Sequence, residues 1–441
     1  MPGTIALRNT CLGIGALLSI YPICTSRHLF LQKRVLPIWL LIALFGWVIF
    51  HFLFLSQDPA AQIAELNSIW KRVAIGVIFA IGMGLSISRL ANSNQSNEKN
   101  KSCLKACWII FYIGLLAPTL IYIVKLLITS YSSRFGIVIP TVMQMYIGPN
   151  APYVAKTAYV AFCLPVFAVA LGSLLRNISA YRWLSLSNLV YLATLPTVMT
   201  VFYFENIKNG IAYALLLLVF FLLLIFKTGS KGSWMPKIFL SILLLGASLS
   251  FLSAHLQGNE SWKTFQLDAK VALNTTQNQQ WKYNGEKGYP LNDQGAVVSI
   301  TNYERIAWAK EGARSILDYP LGFGLVERSF GHIAKLQWPD SKLHQSHSGW
   351  IDLTLGIGIP GTALILVAML MLIFQMGYPS MGVLQWTQAT RWVLLSLLLM
   401  WCTTEISQKL YVENLLFWLA LGAGLIANSL EAKMSGGTNY R

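Results

Sequence analysis

Eleven apolar runs of near-membrane length set the strongest limit on what this 441-residue chain can fold into. They cover about residues 6–24, 36–56, 70–90, 106–128, 152–175, 183–203, 209–227, 234–254, 350–375, 390–407 and 412–430. A helix needs roughly 20 apolar residues to cross the hydrocarbon core, where no water is present to satisfy the backbone. Only 11% of the residues are charged, against roughly 25% in a soluble domain. The expected fold is therefore an all-α polytopic membrane protein with 11–12 transmembrane helices. The twelfth candidate is 135–150 (FGIVIPTVMQMYIGPN), which is apolar but short and interrupted by Pro140. It reads as a re-entrant element, an interfacial element or a further span. The first run has no small-residue cleavage site after it and reads as a helix that stays.

The net charge is +16, from 33 Lys+Arg against 17 Asp+Glu. In a soluble chain that excess would suggest nucleic acid. Here the basic residues gather in short loops, so anionic membrane lipids are the expected partner and no nucleic acid is. Four such loops carry Arg27, Lys33 and Arg34; Arg89, Lys99, Lys101 and Lys105; Arg176 and Arg182; and Lys227 and Lys231. With eleven spans all four share one side, which the positive-inside rule makes cytoplasmic. The six cysteines lie in or beside apolar runs, which argues against a disulfide framework or a zinc site.

The opposite side then holds the long polar segment 255–349. It divides the chain into N-terminal spans (1–254), a large loop (255–349), C-terminal spans (350–430) and a cytoplasmic tail (431–441). Trp262, Trp281, Trp308 and Trp338 argue that this loop is folded. Residues 303–318 (YERIAWAKEGARSILD) predict a helix with Ile306, Ala309, Ala313 and Ile316 on its apolar face and Glu304 and Arg305 off it. Pro320 and Gly322 end it.

The chain has no Gly-Lys-Ser phosphate loop, no His-Glu-x-x-His and no Gly-x-Ser-x-Gly. Its candidates gather instead on the loop side. His347 opens HSGWIDLTLGIGIPG, where polar loop becomes apolar helix, and suits a general base acting on a hydroxyl. The plainer reading is a helix cap, and His344 competes for the role. Arg305 has the planar fork that matches phosphate oxygens, with a salt bridge to Glu304 as its plainer reading. Lys208 in ENIKNG and Arg134 in SSRFG share that side, and each reads more simply as a snorkelling cation. Asp352, one turn into the span after His347, needs a partner or a role at that depth. Glu405 and Glu413 are weaker candidates. A cationic, partly desolvated site at the interface suits a lipid-linked pyrophosphate.

Two blocks, YERIAWAKEGARSILDYPLGFGL (303–325) and HSGWIDLTLGIGIPG (347–361), resemble the bacterial O-antigen ligase and O-antigen polymerase superfamily. In that pattern an Arg and a Trp precede a Pro-Leu-Gly-x-Gly stretch. A His then heads an apolar helix with a Gly-x-Pro-Gly turn. The resemblance implies about a dozen spans, a large periplasmic loop and an active site facing the periplasm of the inner membrane. It places the family's essential Arg on Arg305 and its essential His on His347. A third basic residue, an Arg in the family, falls on Lys231 (SKG) by letters and on Lys208 (IKNG) by topology, with topology favoured. The implied reaction moves a glycan from undecaprenyl diphosphate to the lipid A-core, with no cofactor and no metal. Polymerisation of lipid-linked repeat units, glycosylation of protein and transport of a polyprenyl glycolipid are the competing readings.

Overall fold

A computed structural model describes residues 5–92, 98–140, 143–145, 156–180, 182–227, 234–258, 262–377, 384–404 and 409–428. The described residues form helices and no strand beyond an isolated antiparallel bridge between Leu291 and Val297. The helices are α1 (Ile5–Thr25), α2 (Leu36–Phe54), α3 (Pro59–Glu65), α4 (Lys71–Asn92), α5 (Glu98–Phe135), α6 (Lys156–Ser179), α7 (Leu186–Phe204), α8 (Lys208–Lys227) and α9 (Trp234–Gly258). Three helices then lie in the polar segment: α10 (Phe265–Leu273), α11 (Ile300–Asp318) and α12 (Ser329–Gln337). The chain closes with α13 (Gly349–Gln375), α14 (Leu384–Met400) and α15 (Lys409–Ala427).

Each expected apolar run maps onto a helix, but among the described residues only nine helical segments are long and apolar enough to cross a bilayer. The other two are α14, with 17 residues, and α15, with 19. Gln385, Gln388 and Arg391 dilute the apolar character of α14. Residues 136–140 leave the helix in a turn with Gly136 at φ 65° and form no regular element, and 146–155 and the tail 431–441 lie outside the described residues. Two segments exceed a bilayer core of about 30 Å by the widest margin: α5 with 38 residues, and the continuous helical stretch Pro59–Asn92 with 34. Part of each therefore reaches beyond the hydrocarbon. The bundle exposes large apolar side chains on its outside, among them Leu17, Ile110, Leu223, Phe239 and Ile242. Water would not tolerate so continuous an apolar surface, and lipid does. The protein is a multi-pass membrane protein.

Inside lipid, helices associate by close packing rather than by a hydrophobic force between them. The most extensive interface, α4 with α15, shows how the sequence provides for this. A Cβ on Gly84 would sit 2.6 Å from Leu421 O, and one on Gly424 would sit 2.4 Å from Ile81 O. Both obstacles are backbone and cannot rotate away. Gly84→Leu should therefore cost about 1–3 kcal/mol by forcing the pair apart. The check is a lower melting temperature in detergent micelles; Gly114→Leu, which meets open space, should leave it unchanged.

The polar segment has its own core, built from Trp281, Tyr303, Ala307, Trp308, Phe330 and Ile333 and reaching Leu355 of α13. Trp281 and Trp308 are fully or nearly buried, and Trp338 packs edge-on to Trp281. Three of the four tryptophans expected to mark a folded loop belong to or pack on this core, and Trp262 lies outside it.

Candidate functional site

The site is assembled where α11 docks on the start of α13. The helix in α11 begins at Ile300, three residues before the expected start, and ends at Asp318 as Pro320 and Gly322 require. Its buried face differs from the expected one. Tyr303, Glu304, Ala307, Trp308, Glu311 and Ser315 are buried, whereas Ala313 is exposed. Two of these are carboxylates, and each has a partner from the loop. Glu304 accepts from Tyr289 Oη (2.7 Å), and Glu311 accepts from Thr275 Oγ1 (2.5 Å). Gly312 makes the docking possible, since a Cβ there would lie 2.8 Å from Ile351 Cγ2 and 3.0 Å from Ser346 Cβ.

The two sequence blocks that carry the family resemblance are joined by backbone. Gly358 breaks α13 with φ 73° and ψ 173°, and Pro360 follows. Proline has no N–H, so the Gly356 carbonyl loses its helical donor. Gly324 N supplies one instead (2.8 Å). Phe323 N bonds Leu355 O (2.7 Å), Ile359 N bonds Pro320 O (2.8 Å), and Trp47 Nε1 bonds Ile357 O (2.6 Å). The stretch PLGFG thus satisfies the backbone groups that GIGIPG leaves open. Broken helix at membrane depth is tolerated only with such compensation. Gly322 must be glycine twice over, with φ 89° and a Cβ position 2.4 Å from Gly358 N.

A second clamp, which no motif or apolar pattern marks, comes from α2 and α3. Glu65 is buried, and its carboxylate accepts from Val326 N and Glu327 N (2.7 Å each). His51 accepts from Gln62 at Nδ1 (3.3 Å), which directs Nε2 as donor to Gly322 O (3.1 Å). Glu65 is thus a positioning residue for the loop between α11 and α12. Glu65→Ala orphans two amides and should cost about 1.5–3 kcal/mol. Amide exchange at 325–327 should accelerate, while Glu65→Gln, which keeps one acceptor, should show a smaller effect.

Around this scaffold the charged groups converge. Glu304, Arg305 and Trp308 are neighbours on successive turns of α11. The His347 ring stacks on Trp308, with centroids 5.1 Å apart and planes within 9° of parallel. His347 adopts a left-handed backbone, φ 58°, which is uncommon outside glycine and is found preferentially at functional sites. Burial pushes the Glu304 carboxyl above its ordinary value, and the Tyr289 hydrogen bond and the nearby charges of His347 and Arg305 pull it partly back. Lys208, at the start of α8, is close enough to Arg305 for the two charges to repel and lies 5.7 Å from the Trp262 ring centroid. Asp268, held by Thr264 Oγ1 (2.7 Å) and Asn302 Nδ2 (2.9 Å), is close enough to attract Lys208. Arg305, Lys208 and His347 are each half-exposed. The arrangement brings two cations and an imidazole to one face of the folded segment, the groups an anionic ligand would need.

The remaining candidates fall elsewhere. His344 is exposed and belongs to the α12 side, where its carbonyl accepts from Gly331 N (3.2 Å). Partial burial, then the charges of Arg328 and Lys335, hold its imidazole below the ordinary value. Asp352 is buried, and its Oδ1 accepts from Ser346 N (2.8 Å), so it braces the turn that carries His347. Arg134 is exposed at the end of α5, with its guanidinium 5.9 Å from the Phe135 ring centroid. Glu413 pairs with Arg72 of α4 (2.6 Å). Lys231 and Glu405 lie outside the described residues. No group of three or more His, Cys, Asp or Glu side chains that could hold a metal occurs among the described residues.

Compared with known proteins, the chain matches no protein-family profile, no curated protein and no solved structure.

Proposed function

We propose that the protein is a glycosyltransferase of the O-antigen ligase type, working in a bacterial inner membrane with its site towards the periplasm. It takes an undecaprenyl-diphosphate-linked glycan as donor and the lipid A-core as acceptor. The observation that carries this reading is the convergence of Arg305, Lys208 and His347 from elements far apart in sequence. Two cations that repel each other in the free protein gain from an anion between them, and a diphosphate supplies it. A hydroxyl of the acceptor attacks the anomeric carbon of the donor. Its proton passes to the His347 imidazole as the new glycosidic bond forms. The bond from that carbon to the phosphate oxygen breaks, and undecaprenyl diphosphate leaves with its charge held by Arg305 and Lys208.

The test gives purified protein a lipid-linked glycan and a lipid A-core acceptor, without ATP or added metal. Glycan appearing on the lipid A-core is the expected product. Longer glycan still on the polyprenyl carrier would instead identify a polymerase. No product with either acceptor would turn the assignment towards a polyprenyl-glycolipid transporter.

A further inference from the structure

A second basic site lies at the other end of the bundle. A cavity of about 1180 Å³ opens between the start of α5, the end of α6, the start of α7 and the start of α14. The helix α7 begins at this cavity and runs 19 residues, about 28 Å, before the turn to Lys208. The cavity and the Arg305 site are therefore separated by roughly the thickness of the hydrocarbon core.

Four cations line it: Lys101 and Lys105 on α5, Arg176 on α6 and Arg182 in the turn that follows. Among the described residues no acidic side chain does. Lys101 pairs with Glu98 on its outer flank (2.8 Å). Arg176 directs Nε and Nη2 to Asn177 Oδ1 (3.2 and 2.8 Å), and it stands close enough to Arg182 for the two charges to repel. Further along the spans the lining turns apolar, with Trp108 buried and the side chains of Ile109, Ile113 and Val190 exposed beside it. The polar groups at that depth are already satisfied, by Trp108 Nε1 to Tyr191 Oη (3.0 Å) and by Tyr112 Oη with Thr194 Oγ1 (2.8 Å).

Positive mouth and apolar flank are the shape of an anionic amphiphile. The volume exceeds the roughly 300–1,000 Å³ of ordinary small-molecule pockets, which leaves room for chains as well as a headgroup. Basic pockets between membrane helices hold such headgroups by charge. We propose that this cavity binds a lipid whose phosphate headgroup is net anionic, its phosphate among Arg176, Arg182, Lys101 and Lys105 and its chains against Trp108, Ile109 and Val190. The site stands independently of the transfer reaction.

The full-length protein in detergent micelles should be titrated with cardiolipin, undecaprenyl phosphate and phosphatidylethanolamine, and binding read by native mass spectrometry. Both anionic lipids carry the required phosphate, and whichever binds more tightly names the source. Phosphatidylethanolamine should bind at least tenfold more weakly than the better of the two. A basic residue near a membrane surface contributes about fivefold in affinity, so Arg176→Gln/Arg182→Gln should weaken binding by about 25-fold. Lys101→Gln/Lys105→Gln, on the exposed start of α5, should do the same without disturbing packing. Equal binding of anionic and zwitterionic lipid, or wild-type binding by both double variants, would overturn the proposal.

Discussion

His347→Asn is expected to lower transfer by about 10²–10⁴-fold while leaving the melting temperature unchanged. The choice of asparagine matters. His347 has φ 58°, and asparagine adopts that conformation more readily than other residues without a glycine's freedom. An alanine variant mixes backbone strain with lost chemistry, whereas asparagine keeps the backbone conformation and removes the imidazole, its proton acceptor and its stack on Trp308 together. The neighbouring Asp352 still fixes the turn through Ser346 N. In cells, the glycan should stay on its polyprenyl carrier and the lipid A-core should remain unmodified. Full activity in the asparagine variant would remove His347 from the role of general base, and a large fall in melting temperature would make it structural.

Arg305→Lys should lower kcat by about 10²–10³-fold, close to the effect of Arg305→Ala. A lysine keeps the charge but not the planar fork that binds two phosphate oxygens at once. The same variants carry a second expectation. Arg305 is partly exposed and feels both the repulsion of Lys208 and the attraction of Glu304. Removing Arg305 relieves the first and loses the second, so the melting temperature of Arg305→Ala should hold. Lys208→Ala should follow the same pattern with a smaller activity loss, because a point charge contributes no bidentate geometry. If Arg305→Ala melted several degrees lower with donor affinity intact, the arginine would be a structural ion-pair partner and the anion site would fail with it.

The membrane helices and the helix that carries Arg305 were legible in the letters because both depend on local pattern. Apolar length sets a span, and Pro320 with Gly322 stops α11 wherever the rest of the chain goes. The buried face of α11 was read only in part, since Ile306 and Ile316 of the expected stripe pack against the core of the polar segment but Ala313 is exposed. The true face includes Glu304 and Glu311, and carboxylates become buried residues only when partners such as Tyr289 and Thr275 arrive from elsewhere. Hydrophobic periodicity cannot anticipate that. Nor does it anticipate Glu65, whose two amide partners lie more than 250 positions away.

By itself, then, the sequence determined a multi-pass helical membrane protein, a folded polar segment, and two motif blocks with an arginine and a histidine in them. Local apolar runs and turn residues suffice for that. Only the tertiary structure decided that PLGFG completes the broken backbone of GIGIPG, that His347 rather than His344 stands against Trp308, and that Lys208 shares the field of Arg305. Each of these is a contact between segments distant along the chain. It exists because a broken helix, a docked ring and a desolvated charge must all find their partners in space.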